Sequence, residues 1–188
     1  MSRNVLLLHS AGPQGPGEGS EPFAARLREE LGSQYEIDFP ILPKPNDPHY
    51  EPWSERLGEI FGASAEPLVV VGHSLGGSVL LKHLAESEPP ERITGIVLAE
   101  TPFWGTSGWE AEWALPDGWP NPSTQLPPIR LFHSRDDEEI PFDHLECYAR
   151  RLPEATAHSL DGNGHLLDRG DLTEILDAIR SFAAAADR

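Results

Sequence analysis

Short, unbroken apolar runs separated by amphipathic stretches set the pattern of this chain. Residues 4–9 (NVLLLH), 67–72 (PLVVVG), 93–99 (ITGIVLA) and 128–133 (PIRLFH) are the strongest runs, with weaker ones at 35–39 and 155–160. Runs of this length, rich in Val, Ile and Leu, predict strands buried on both faces. Between them, apolar residues recur at helical spacing over about 21–32, 51–62, 76–87, 141–151 and 171–184. In the last segment Leu172, Ile175, Leu176, Ile179, Phe182 and Ala183 fall on one face, and Asp171 with Glu174 predicts a capping-box-like start. The alternation predicts an α/β fold: a parallel sheet of about six strands with helices on both faces. Two irregular stretches, 10–20 and 101–127, interrupt it, and long loops in a compact domain are usually functional or mobile. No repeat or linker divides the 188 residues, so a single domain is expected.

Charge narrows the function classes. Thirty-one acidic residues against fourteen basic ones give a formal charge of -17, which repels phosphate backbones and anionic membrane surfaces. Neither nucleic acid nor a membrane is an expected partner. The start, MSRNVLLLHS, has too short an apolar run for a signal peptide, and no segment approaches the ~18 apolar residues of a membrane span. The single Cys147 cannot form an internal disulfide, so a cytoplasmic location is expected. Cys147 falls in a helical pattern as a half-buried small hydrophobe, without a chemical role.

The most informative segment is Gly-His-Ser-Leu-Gly, residues 72–76, a G-x-S-x-G pattern between a strand ending near Gly72 and a helix starting near Leu75. In that context Ser74 projects its hydroxyl above the sheet from a strained turn that Gly72 and Gly76 leave uncrowded. The Leu75 N–H faces the same space from the positive end of the helix, a donor for a developing oxyanion. A serine hydroxyl is a weak nucleophile near neutral pH and needs a histidine base held by a carboxylate. His165, in the glycine-rich "DGNGHLLD" after the sixth strand, is the base expected to reach it; His144 sits in a helical pattern and His158 in a strand. The carboxylate is expected from "HSRDDEEIPFDH", residues 133–144, which offers Asp136, Asp137, Glu138 and Glu139.

Four motifs in order, "VLLLHSAG", "GHSLGG", "RDDEEIP" and "GNGHLL", resemble the α/β-hydrolase superfamily across nearly the whole chain. The small serine hydrolases of the YdeN type, a branch with a mammalian retinoblastoma-binding relative, are the nearest likeness, with weaker support from "FPILPKPNDPHYEPW", residues 39–53. The resemblance implies a compact α/β-hydrolase fold whose sheet begins with Val5–Leu8. A D-x-x-[VI]-P context selects Asp137 as the acid, Pro141 lying four residues on, with Asp136 the competitor and Glu138 and Glu139 solvated. It also makes the N–H of Ala11, in "HSAG", the second oxyanion donor, although Ser10 stands where relatives commonly carry glycine. The implied chemistry is acyl transfer to water on a small-molecule acyl substrate, by default a carboxylic ester, with thioester or amide cleavage open to the same constellation. A noncatalytic binding protein on this scaffold is the alternative. No cofactor is implied, and His9, His49 and the Asp136–Asp137 pair lack compact metal-ligand spacing. Residues 101–120 are too short for a multi-helix lid; Phe103 and Trp104, first after the fourth strand, are expected to line the substrate pocket. Trp109, Trp113 and Trp119 fit either a pocket wall or a small satellite core.

Overall fold

The period-2 alternation of the strands sorts their side chains into two separate apolar clusters, one on each face of the sheet. In the computed structural model, which describes residues 3–105, 111–121 and 123–186, six strands form one sheet: β1 (Arg3–Leu8), β2 (Tyr35–Asp38), β3 (Leu68–His73), β4 (Ile93–Ala99), β5 (Ile129–Ser134) and β6 (Thr156–Leu160). Their order is β2-β1-β3-β4-β5-β6, and each neighbouring pair is parallel. Val5, Leu7, Val69, Val71 and Val97 point to one face, against α1 (Glu21–Leu31) and α5 (Thr173–Ala185). Leu6, Leu8, Val70, Ile96 and Leu98 point to the other, against α2 (Tyr50–Gly62), α3 (Leu75–Glu86) and α4 (Asp143–Arg151). Each such side chain taken fully out of water contributes about 1.5–3 kcal/mol, so the two clusters provide most of the driving force for docking the helices.

This single-domain arrangement matches the predicted six-stranded α/β architecture. The two weaker apolar runs became β2 and β6, the strands at the two edges of the sheet. An edge strand pairs on one side only and needs fewer apolar residues, as the mostly exposed β6 illustrates. The six apolar residues predicted on one face of α5 are all buried. Its start differs from the expected capping box. Asp171 accepts the Thr173 N–H at 2.8 Å, closing a tight turn before the helix, while Glu174 pairs with His158 Nδ1 at 2.8 Å on β6. Cys147 is half-buried on α4, as expected. No helix among the described residues is long and apolar enough to cross a membrane.

The chain direction matters for function. Because β1, β3, β4, β5 and β6 run parallel, residues 9–12, 74, 100–104, 136–137 and 162–165 leave the sheet along the same edge. Residues gathered at the C-terminal ends of parallel strands are where α/β sheets build sites.

Candidate active site

The turn between β3 and α3 is built around a backbone conformation that few residues adopt. Ser74 has φ 52° and ψ -123°, an unfavourable region that costs about 1–3 kcal/mol and persists only where the surroundings enforce it. The enforcement is steric. A Cβ on Gly76 would lie 2.3 Å from the Leu8 carbonyl oxygen, and one on Gly72 would lie 2.5 Å from Gly77 Cα. Gly72 and Gly76 therefore let α3 start directly against β1 and β3. The crowding relieved is with neighbouring backbone at these specific places.

Ser74 Oγ lies 3.1 Å from His165 Nε2, and His165 Nδ1 lies 2.8 Å from Asp137 Oδ2. All three groups are buried: Ser74 is 7% exposed, His165 7%, and the Asp137 side chain 0%. The second oxygen of Asp137 accepts the N–H groups of Glu139 at 2.8 Å and Ile140 at 2.9 Å. Burial alone raises a carboxylate's pKa, but hydrogen bonds from His133, His165 and the Ile140 N–H outweigh it and hold Asp137 well below the usual carboxylate range. An ionised Asp137 fixes the His165 proton on Nδ1, leaving the Nε2 lone pair for the serine hydroxyl.

Asp136 turns the other way. Its Oδ1 accepts the N–H groups of Gly162 and Gly164, each at 3.1 Å, and a hydrogen bond from Ser134 Oγ, while Arg169 Nη2 stands 3.4 Å from Oδ2. The Ser134 and Gly164 bonds pull it down to about 2. Asp136 thus anchors the loop that carries His165, a role the sequence pattern alone did not indicate. Glu138 is exposed, as expected of a solvated loop acid. Glu139 is 63% exposed but brings Oε2 to 3.8 Å from His165 Nε2, at the rim of the site.

Three buried groups beside these residues were missed from the sequence. His73, the first variable residue of the G-x-S-x-G pattern, donates from Nε2 to the His165 carbonyl at 2.8 Å and accepts from Ser20 Oγ at Nδ1, 2.7 Å away. Burial, aided by the nearby His165, drops His73 to about 3, so it stays neutral and keeps this tautomer. Ser20 Oγ in turn accepts the Ser10 N–H at 2.8 Å, linking the loop after β1 to the elbow and the His165 loop. The second missed group is Glu100, at the end of β4. It is 0% exposed, has φ 51°, and accepts the Ser134 N–H at 2.9 and 3.0 Å. The third, His133, lies with Nε2 3.3 Å from Glu100 Oε2 and 3.4 Å from Asp137 Oδ2. Burial and a side-chain hydrogen bond to Asp137 push Glu100 up to about 10 against the Ser134 N–H, making it a neutral carboxylic acid beside a carboxylate. The sequence did carry a signal for Glu100, an acid closing the buried run "GIVLAE".

Glu100, His133 and Asp137 form the one group among the described residues whose candidate metal-ligand atoms lie within 4.8 Å of one another. They fit a metal poorly, because His133 Nε2 donates to the Ile140 carbonyl at 3.0 Å and so offers no lone pair. His9 is likewise committed, accepting the Leu42 N–H at Nε2, 2.8 Å away, and donating from Nδ1 to the Ser10 carbonyl at 2.6 Å. His49 pairs with Glu112 at 3.3 Å near the start of α2.

Of the other predicted site residues, Ala11 is exposed in the loop after β1, and Leu75 is the first residue of α3, where an N–H has no intrahelical acceptor. Phe103 and Trp104 are half-buried and line a cavity of about 180 Å³ together with Trp113, Leu115, Asp117, Tyr148 and Arg151. Trp113 and Trp119 belong to the large apolar cluster on the α2–α3–α4 face, which makes them core rather than a separate satellite. Trp109 lies outside the described residues. His144, on α4, accepts the Phe103 N–H at 2.8 Å and His158 stacks on Phe132, so neither reaches Ser74 as the base.

Comparison with curated protein sequences finds no match. The product of the ydeN gene of Bacillus subtilis superposes with a TM-score of 0.72 at 20% identity, covering 97% of this chain and 100% of that one. A serine hydrolase from the polyaromatic hydrocarbon-degrading bacterium Cycloclasticus zankles gives 0.72 at 16%, covering 98% and 90%. A YdeN-like hydrolase from Pectobacterium atrosepticum gives 0.71 at 14%, covering 98% and 92%. These likenesses identify the α/β-hydrolase fold. Residues 21–178, which include Ser74, Asp137 and His165, match the serine hydrolase family, and the chain belongs to that family.

Proposed function

We propose that this serine hydrolase is a carboxylic esterase acting on a small acyl substrate through Ser74, His165 and Asp137, without a cofactor. The observation that carries the reading is the continuous contact from Ser74 Oγ to His165 at 3.1 Å and from His165 to Asp137 at 2.8 Å. His165 Nε2 takes the Ser74 proton as Oγ attacks the ester carbonyl, and Asp137 stabilises the resulting imidazolium. The tetrahedral oxyanion is held by the N–H groups of Ala11 and Leu75. The bonding around Ala11 supports its role: the Ser10 N–H is committed to Ser20 Oγ at 2.8 Å and the Gly12 N–H to the Pro45 carbonyl at 2.7 Å. The imidazolium then gives its proton to the departing alkoxide. Water, activated by the same nitrogen, releases the acyl group from Ser74.

A fluorophosphonate probe tests the nucleophile. Wild-type protein is expected to be labelled stoichiometrically and Ser74→Ala not at all. An unlabelled wild type that is folded would favour a binding protein on this scaffold. Within the esterase reading, Phe103 and Trp104 form a wall of the substrate pocket. The Trp104 indole donates to Ser78 Oγ at 2.8 Å, one helical turn beyond Ser74 on α3. Trp104→Ala is expected to change relative kcat/KM across p-nitrophenyl esters of increasing chain length while labelling of Ser74 persists. An unchanged chain-length profile with a lower melting temperature would make Trp104 a packing residue only.

A further inference from the structure

The irregular stretch between β1 and α1 is tied together by one side chain. Gln14 is half-buried and hydrogen-bonds through both ends of its amide. Its Nε2 donates to the Ser10 and Gly12 carbonyls, each at 3.0 Å, and its Oε1 accepts the Ser20 N–H at 2.9 Å. The reverse orientation would set the amide oxygen against two carbonyl oxygens and its nitrogen against an N–H, so the partners fix which end faces which. Gly19 leaves the room. A Cβ there would lie 2.5 Å from Gln14 Nε2 and 2.4 Å from the Pro13 carbonyl oxygen.

The two carbonyls that Gln14 holds stand on either side of Ala11. The Ser10 carbonyl and the Ala11 N–H belong to one trans, planar peptide unit, so they point in opposite directions. Fixing the carbonyl therefore aims the N–H. Two donors fix it, His9 Nδ1 at 2.6 Å and Gln14 Nε2 at 3.0 Å, as many as a carbonyl has lone pairs. On either side the backbone is equally committed: the Ser10 N–H goes to Ser20 Oγ at 2.8 Å and the Gly12 N–H to the Pro45 carbonyl at 2.7 Å. Among the described residues, the Ala11 N–H alone of these three has no acceptor in the protein. Ser20 extends the frame to the elbow, because its hydroxyl is bonded to His73, the residue before Ser74.

We propose that Gln14 is a positioning residue for the oxyanion hole: by clamping the Ser10 and Gly12 carbonyls, it holds the Ala11 N–H aimed at the substrate carbonyl oxygen before the substrate arrives. The assignment rests on the hydrolase reading above and on Ala11 as an oxyanion donor. Gln14 touches no reacting atom. A donor whose direction is set in advance needs no reorganisation as charge develops, and that is the source of its effect.

Gln14→Ala keeps the Ala11 N–H but frees the peptide unit that carries it. Loss of a whole oxyanion donor costs about 10²–10³, so this loosening is expected to lower kcat/KM on p-nitrophenyl acetate by about tenfold or more. Affinity for a trifluoromethyl ketone, whose adduct with Ser74 carries the oxyanion, is expected to fall by the same factor. Complete, though slower, fluorophosphonate labelling shows that the variant is folded. The isosteric Gln14→Glu still accepts the Ser20 N–H but turns an ionised oxygen toward the two carbonyls. Its deficit relative to wild type is expected to equal or exceed that of Gln14→Ala at pH 8 and to shrink toward pH 5, where the protonated acid donates again. This comparison is made within one variant and decides the matter even if Gln14→Ala folds poorly. Wild-type kcat/KM in the variants, lost turnover with unchanged ketone affinity, or a Gln14→Glu deficit indifferent to pH would overturn the proposal. A wild type that neither reacts with the fluorophosphonate nor binds the ketone would instead sink the hydrolase reading, and this assignment with it.

Discussion

Asp137→Asn is expected to lower kcat by about 10⁴ with the fold intact, the scale seen when the orienting carboxylate of a serine triad becomes an amide. Asp137 Oδ2 is the oxygen that accepts the hydrogen bond from His165 Nδ1–H, at 2.8 Å, and the Asp137 side chain is 0% exposed, so no water can substitute. An amide nitrogen there would favour the wrong tautomer, placing the imidazole hydrogen on Nε2 facing Ser74. Asp136→Asn is expected to stay within about tenfold of wild type, because an amide oxygen can still accept the N–H groups of Gly162 and Gly164 at 3.1 Å. Asp136→Ala removes that acceptor and is expected to cost more than Asp136→Asn, by loosening the loop that presents His165. Kinetics on p-nitrophenyl acetate, with circular dichroism to verify folding, check the series. Equal losses from the two asparagine variants would mean that Asp137 has no special role in orienting His165.

The contrast between these two aspartates also marks where sequence reasoning works and where it stops. The four strongest apolar runs became the four central strands, and the elbow lay where a strand gave way to a helix. Those features are local in the chain. The D-x-x-I-P spacing separated Asp137 from Asp136 because the preference is also local: Asp137 Oδ1 caps its own turn at Ile140, immediately before Pro141. What Asp136 does depends on residues 162 and 164, brought to it only when β5 and β6 pair. Ser20, His73 and His165 likewise meet across three connections, and no spacing rule links residue 20 to residue 73. The tryptophans of the 101–120 stretch show the same limit. Their order after the fourth strand singles out Phe103 and Trp104 as pocket residues and leaves Trp113 and Trp119 suited to either role, whereas the structure lines one cavity with Phe103, Trp104 and Trp113 and places Trp113 and Trp119 in the main apolar cluster.

Glu100 carries the second large effect, on stability rather than turnover. Its carboxyl is pushed up to about 10 from an ordinary 4.5, chiefly by burial and then by hydrogen bonding and repulsion from Asp137. As pH rises above 4.5, the unfolded chain releases this proton while the fold retains it until about 10. The stability contribution of Glu100 is therefore complete below 4.5 and is progressively lost toward 10. Glutamine at this position keeps an oxygen for the Ser134 N–H and supplies an N–H toward Asp137, but has no proton to lose. Relative to wild type, Glu100→Gln is thus expected to gain stability with rising pH by up to about 1.4 kcal/mol per pH unit within that window. Urea unfolding of both proteins at pH 5, 7 and 9 measures the difference, and changes common to both chains cancel. Activity supplies an independent check. If Glu100 is neutral in the fold, Glu100→Gln removes no charge beside Asp137, and the acidic limb of kcat/KM stays in place. A stability difference that is flat with pH, together with an acidic limb displaced to lower pH, would mean that Glu100 is ionised and shares the negative charge facing His165.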